Sequence, residues 1–267
     1  MATDPACLMA LRTLVALFDR RQVLYALVGG TAVQLMEGVV QARFTVDVDA
    51  IVLAHGVEEL RSVLADLETR GWQRDPEPYR MLAPGGCRID ILPYLAGEIR
   101  GDRLRLPGTD RMLSTAGWIE AVAAAQRTEV PGIGAIRIAP PQNLAALKVA
   151  AWHERGGGTN KDAYDLFIMA RRFGSDDDVL RLLRERVVDH PLEARAALLA
   201  RAIREAVPTV RDPLRALGRN LADPGTGAAA RLWRDWQADV DQDALEGEIR
   251  AVGRGLLIGA EDAGIPR

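Results

Sequence analysis

The chain has 267 residues, 48% of them apolar, with a formal net charge of -3, which suits one large domain or two modest ones with a buried core. No segment is basic enough to define a nucleic-acid-binding surface, and Cys7 and Cys87, the two cysteines, do not amount to a secreted disulfide framework. No apolar run approaches the about 20 residues that span a bilayer, and the N-terminus lacks a basic leader with a cleavage site, so a soluble cytoplasmic protein without a membrane partner is expected.

Apolar residues recur at helical spacing from Leu8 to Arg20, and Val23–Val28 reads as a short buried strand. A helix over Thr31–Glu37 follows the Gly29-Gly30 turn, and Phe44–Leu53 alternates as a strand does. Leu60, Val63, Leu64 and Leu67 give Val57–Arg70 an amphipathic face. Further strands are expected at Tyr79–Ala83, Cys87–Tyr94 and Ile136–Ile138, the last after a Pro131-Gly132 turn. Pro140-Pro141 is a stiff joint, because a residue before proline is pushed out of helical dihedrals. It separates an α/β domain, residues 1–140, from a helical domain, residues 141–267. In the latter, helices are expected at Gln142–His153, Asn160–Phe173, Asp176–Val188, Pro191–Val207, Pro213–Leu221 and, with breaks, Ala228–Ile258.

In a strand, Thr45, Asp47 and Asp49 share one face while Phe44, Val46 and Val48 share the other. Carboxylates two residues apart, about 6.5–7 Å between Cα atoms, can converge on divalent cations, and a two-metal centre needs ions about 3.5–4 Å apart bridged by such groups. Without a cation their like charges destabilise one another. Alone, the Asp-x-Asp pair reads equally as a solvated strand face, although aspartate is depleted in strands. Gly29-Gly30-Thr31 adds what the pair lacks: backbone that a phosphate can approach, amides that favour an anion, and a hydroxyl. By itself this is a common turn. The chain has no Gly-x-Gly-x-x-Gly after Gly29, no Gly-Lys-Ser or Gly-Lys-Thr, and no full calcium loop around Asp47-Val48-Asp49, which excludes three rival phosphate or cation sites. His55, His153 and His190 have neither zinc-like nor triad spacing.

The order strand, Gly-Gly-Thr, helix, then Asp-x-Asp on the next strand, spanning Val28–Ile51, resembles the nucleotidyltransferase superfamily of DNA polymerase β. Gly29, Gly30, Thr31, Ala32, Gly38, Arg43, Thr45, Asp47 and Asp49 resemble more specifically the AbiEii-type toxin nucleotidyltransferases. The resemblance implies an α/β (α+β) fold, in which a mixed-sheet polymerase β-type domain precedes a helical one. It also implies Mg²⁺ or Mn²⁺ on Asp47, Asp49 and a third aspartate, with Gly29, Gly30, Thr31, Arg43 and Thr45 at the nucleotide. Asp90, between Ile89 and Ile91, offers that third carboxylate, as metal ligand or general base; the rival reading is an ion pair with Arg88 or across strands.

Of 34 basic residues only Lys148 and Lys161 are lysine. Lys148 is the single charge in an apolar helical run. A lysine there commonly snorkels to solvent, yet in so arginine-biased a chain a compact ammonium points to a phosphate. Lys161, Asp162 and Asp165 resemble the family's Lys-Asp-x-x-Asp and are expected at the nucleotide. A capping box from Thr159 to Asp162 and an i,i+4 pair from Lys161 to Asp165 explain the same residues locally. The arginines of the helical half, interspersed with acids, read as a solvated face.

The expected activity is transfer of a nucleoside monophosphate from a nucleoside triphosphate such as ATP or GTP to an acceptor hydroxyl. The AbiEii likeness implies a toxin acting on tRNA, with a cognate antitoxin. A small-molecule acceptor, as in aminoglycoside nucleotidyltransferases, a protein acceptor, and a non-catalytic nucleotide-binding protein are the alternatives.

Overall fold

Residues 5–35, 47–77, 79–155, 161–223 and 241–261 are described by the computed structural model, and the chain divides into two units, Met1–Pro140 and Pro141–Arg267.

The first unit is built on a seven-stranded mixed sheet whose strands, in spatial order, are Gln73–Arg74, Arg80–Leu82, Arg88–Tyr94, Asp47–Leu53, Leu24–Val28, Gly134–Ile138 and Gln126–Val130. Helix α1 (Pro5–Arg21) buries Leu11, Leu14, Leu17 and Phe18 and ends where Gln22 takes a left-handed φ of 55°. Strand β1 (Leu24–Val28) follows, then α2 (Gly29–Leu35), which starts at the first glycine rather than at Thr31. The expected Phe44–Leu53 strand is β2 (Asp47–Leu53), and its first three residues, like Gly38, Arg43 and Thr45, lie outside the described residues. Helix α3 (Val57–Glu68) buries Leu60, Val63, Leu64 and Leu67, as its periodicity requires. Strands β3 (Gln73–Arg74), β4 (Arg80–Leu82) and β5 (Arg88–Tyr94) come next.

The stretch that follows carried no readable period, and it holds a small three-stranded sheet: β6 (Ile99–Arg100), β7 (Arg103–Arg105) and β8 (Met112–Ser114). Each strand is only two or three residues long, too short for alternation to show. Helix α4 (Trp118–Ala124), β9 (Gln126–Val130) and β10 (Gly134–Ile138) complete the unit. Strand β2 runs parallel to β5 and antiparallel to β1, and β1 runs parallel to β10. Val48, Ala50, Val52, Ile89 and Ile91 bury one sheet face at 1% exposure or less, which turns Asp47, Asp49 and Asp90 to the other. Cys7 and Cys87 are joined as a disulfide, with Cα atoms 5.0 Å apart and 80 residues between them in sequence. Ala6 packs on the Gly85 turn, which brings the start of α1 to that of β5.

The second unit is helical: α5 (Pro141–Glu154), α6 (Lys161–Ala170), α7 (Asp176–Arg184), α8 (Pro191–Ala206), α9 (Arg211–Ala222) and α10 (Gln242–Glu261). Ser175 caps α7 by accepting from the Asp178 amide at 3.1 Å, with three aspartates in the first turn complementing the helix dipole. Helix α6 is buried from Asp162 to Ala170, so it is the unit's core helix. Helix α10 lies directly on α8, for a Cβ added at Gly255 or Gly259 would overlap the carbonyl oxygens of Glu193 and Ala197. Among the described residues no helix is long and apolar enough to cross a membrane.

Candidate active site

The chain turns as soon as β1 ends. Gly29 takes φ 72°, in the region that favours glycine, and a Cβ there would overlap Asp49 Oδ2. The Asp49 carboxylate therefore lies on the glycine's Cα, and only glycine admits it. Thr31 is buried, and its hydroxyl donates to the Asp47 carbonyl at 2.7 Å. Its proton thus pins the start of β2, a structural task where the sequence suggested a phosphate contact.

Sheet pairing draws residues from distant parts of the chain into one row. Val28 stands opposite Asp49, Asp49 beside Asp90, and Asp90 opposite Arg80. Asp47, on the same face of β2, is half-buried, and its Oδ1 is buried with no hydrogen-bond partner among the described residues. A buried carboxylate oxygen left without a donor is costly, and a divalent cation satisfies it. The donor set of Asp47 and Asp49, hard oxygens on one strand face, fits Mg²⁺ or Mn²⁺.

Asp90 is engaged differently. Arg80 grips both its oxygens, Nε to Oδ1 at 2.6 Å and Nη2 to Oδ2 at 2.8 Å, the bidentate fork that makes such pairs strong and directional. The hydrogen bonds to Asp90, then the charges of Asp90, Asp47 and Asp75, hold the Arg80 guanidinium well above its ordinary pKa. Among the described residues no three Asp, Glu, His or Cys side chains converge as a ready metal group. Arg80 is the site residue that motif reading missed. Its position was within reach: the Pro84-Gly85-Gly86 turn closes a hairpin, with the Ala83 amide bonded to the Cys87 carbonyl, and counting five residues outward from Gly85 sets Arg80 against Asp90.

The second unit has its own polar centre. Lys148 of α5, 8% exposed, meets Asp165 of α6 at 2.5 Å and Asp162 at 3.4 Å. Arg155 reaches Asp162 at 2.6 Å. Lys148 and the two aspartates are buried, and the exposed Arg155 guanidinium closes the set at the surface, so the buried charges are paired, as charges in an interior must be. Lys148 therefore does not snorkel, and the two aspartates point at it from inside the helix pair, beyond what a local cap or i,i+4 pair explains. Lys161 is exposed at the start of α6. Two further buried polar atoms of α5, Asn143 Oδ1 and Trp152 Nε1, have no partner among the described residues.

The family model described as "Nucleotidyl transferase AbiEii toxin, Type IV TA system" matches residues 10–252. No curated protein matches. Solved structures with partial likeness include an antigenic nucleotidyltransferase-like protein from Paracoccidioides brasiliensis, at 17% identity and TM-score 0.45 over 72% of this chain and 94% of that one. The antibiotic-resistance factor ANT(2'')-Ia in solution has 17% identity and TM-score 0.39 over 70% and 95%. The same factor in complex with adenylyl-2''-tobramycin has 15% identity and TM-score 0.40 over 68% and 99%. Since the family match runs from within α1 to within α10, the chain belongs to the AbiEii family of nucleotidyltransferase toxins of type IV toxin–antitoxin systems, and it is a nucleotidyltransferase enzyme.

Proposed function

We propose that this nucleotidyltransferase is metal-dependent and moves a nucleoside monophosphate from ATP, GTP or another nucleoside triphosphate onto a hydroxyl of tRNA in the cytoplasm, as the toxin of a pair with a cognate antitoxin. The observation that carries the metal dependence is Asp47 and Asp49 on one face of β2, with Asp47 Oδ1 buried and lacking a donor among the described residues. Family membership supports the toxin role, and the tRNA acceptor is what the likeness of the Val28–Ile51 motif to AbiEii-type toxins implies.

In this reading Asp47 and Asp49 would hold Mg²⁺ or Mn²⁺, which would supply Lewis-acid polarisation of the phosphoryl oxygens. Gly29 makes room for the Asp49 carboxylate, Gly30 leaves backbone for the triphosphate to approach, and Thr31 keeps Asp47 in place. Arg43 and Thr45 also belong to the nucleotide-binding set. Asp90 serves the acceptor side as the third carboxylate. The acceptor hydroxyl gives its proton to Asp90 as its oxygen attacks the α-phosphorus, the bond from that phosphorus to the oxygen bridging to the β-phosphate breaks, and pyrophosphate leaves. In the helical unit, Lys161, exposed at the start of α6, is a candidate phosphate contact, while Lys148 is engaged by Asp165 and Asp162 and orders the α5–α6 pair. In-line transfer of this kind needs position and charge more than covalent chemistry from the protein.

The test is incubation with each labelled nucleoside triphosphate and Mg²⁺ or Mn²⁺, separately with total tRNA, cell protein and aminoglycosides. Label in tRNA with matching pyrophosphate release is expected. Asp49→Asn should lower the rate by at least about a hundredfold, since the lost charge stabilisation is worth several kcal/mol. Label in protein or aminoglycoside instead would replace the acceptor, and label in none would overturn the reading.

A further inference from the structure

We propose that Arg80 is the resident countercharge of the carboxylate row, a positioning residue whose charge and hold on Asp90 set the affinity of the site for metal. This rests on the metal-dependent reading above.

Two features show that the contact is built into the chain. Tyr79, immediately before Arg80, takes a left-handed φ of 61°, a conformation costly for a non-glycine residue and kept only where its surroundings enforce it. The surroundings do so here: the Tyr79 hydroxyl donates to the Pro107 carbonyl at 3.1 Å, and the Ile91 amide donates to the Tyr79 carbonyl at 2.9 Å. On the other flank the Arg80 carbonyl accepts from the Asp75 amide at 3.1 Å. The backbone thus fixes Arg80 from both sides opposite Asp90.

The second feature is electrostatic. Both oxygens of Asp90 are held by one guanidinium, while Asp49 beside it lies against Gly29. Each Asp90 oxygen keeps a second lone pair for a cation, but that cation would share the carboxylate with the positive charge of Arg80. A cation entering the row must also displace or tolerate a fixed positive charge near it, which lowers its affinity. A merely structural Arg80–Asp90 pair would contribute to sheet stability and leave metal binding unchanged or weaker when broken. A countercharge predicts the opposite sign.

The experiment is Mn²⁺ titration of the full-length protein without nucleotide, read by the electron paramagnetic resonance of free Mn²⁺. The chains compared are wild type, Arg80→Gln, Arg80→Lys, Arg80→Gln with Asp90→Asn, and Asp49→Asn, each checked for folding by circular dichroism. Arg80→Gln should bind Mn²⁺ about tenfold more tightly or better, the scale on which partners of metal-binding side chains act. Arg80→Lys, which keeps the charge but loses the fork, should fall between, and adding Asp90→Asn should remove the gain. Unchanged or weaker binding in the Arg80 variants would overturn the proposal, and Arg80→Lys alone decides if the glutamine variant does not fold. Undiminished binding by Asp49→Asn would instead overturn the metal site itself. Loss of binding in Asp49→Asn without any gain in the Arg80 variants would leave that reading standing and remove this one.

Discussion

Gly29 is where a single atom matters most. Its positive φ and the carboxylate lying on its Cα are two separate demands, and alanine fails both. Gly29→Ala should cost about 1–2 kcal/mol of stability for the backbone conformation, a modest fall in melting temperature. Activity should fall further, by about a hundredfold, because Asp49 must move by an ångström or so from its place. A variant that lost stability and activity in proportion would show that the glycine serves the turn alone. Asp47, Asp49, Asp90, Gly29 and Gly30 were visible as candidates in the sequence because a motif is local. Arg80 carries no motif and emerges only when the hairpin is counted outward from the Gly85 turn to set it against Asp90, and the role of Thr31 as a strand anchor depends on a carbonyl 16 residues away.

At the scale of elements, the α5–α6 pair is held by charge inside an otherwise apolar packing. Removing one member of a buried ion pair leaves the other uncompensated, at a cost of about 3–5 kcal/mol. Lys148→Met should therefore lower the melting temperature sharply, and adding Asp165→Leu should recover part of the loss in a double-mutant cycle. Strict additivity of the two changes would deny the coupling. Elements with a strong apolar period were legible: α1, α3, β1 and β5 each bury the residues that the period marks. Those from Ile99 to Val130 were not. There the strands are short and rich in arginine, and β9, Gln126-Arg127-Thr128-Glu129-Val130, is polar almost throughout; its pairing with β10 decides its state, not its own pattern.

At the scale of the whole molecule, each unit has its own logic, a sheet that orders carboxylates and a helical group packed closely enough to exclude side chains. Helix α10 gives an internal control for the second. Gly255 and Gly259 face α8 without room for a Cβ, whereas Gly247 of the same helix has nothing within 4 Å. Alanine at Gly247 should stabilise by up to about 1 kcal/mol through helix propensity, and alanine at Gly255 or Gly259 should destabilise by about 1–3 kcal/mol through overpacking. Equal signs at all three positions in thermal unfolding would refute the close approach. The mixed α/β architecture and the helical second half were both readable, because periods of two and 3.6 residues persist through local irregularity. Pairing order was not. The parallel pairing of β2 with β5 has one further consequence, in time rather than in space. Those strands meet only after the crossover carrying α3, β3 and β4 has closed, and such non-local pairing is slow compared with helix formation. A refolding chain should therefore regain its helical circular dichroism signal before Asp49 stands beside Asp90.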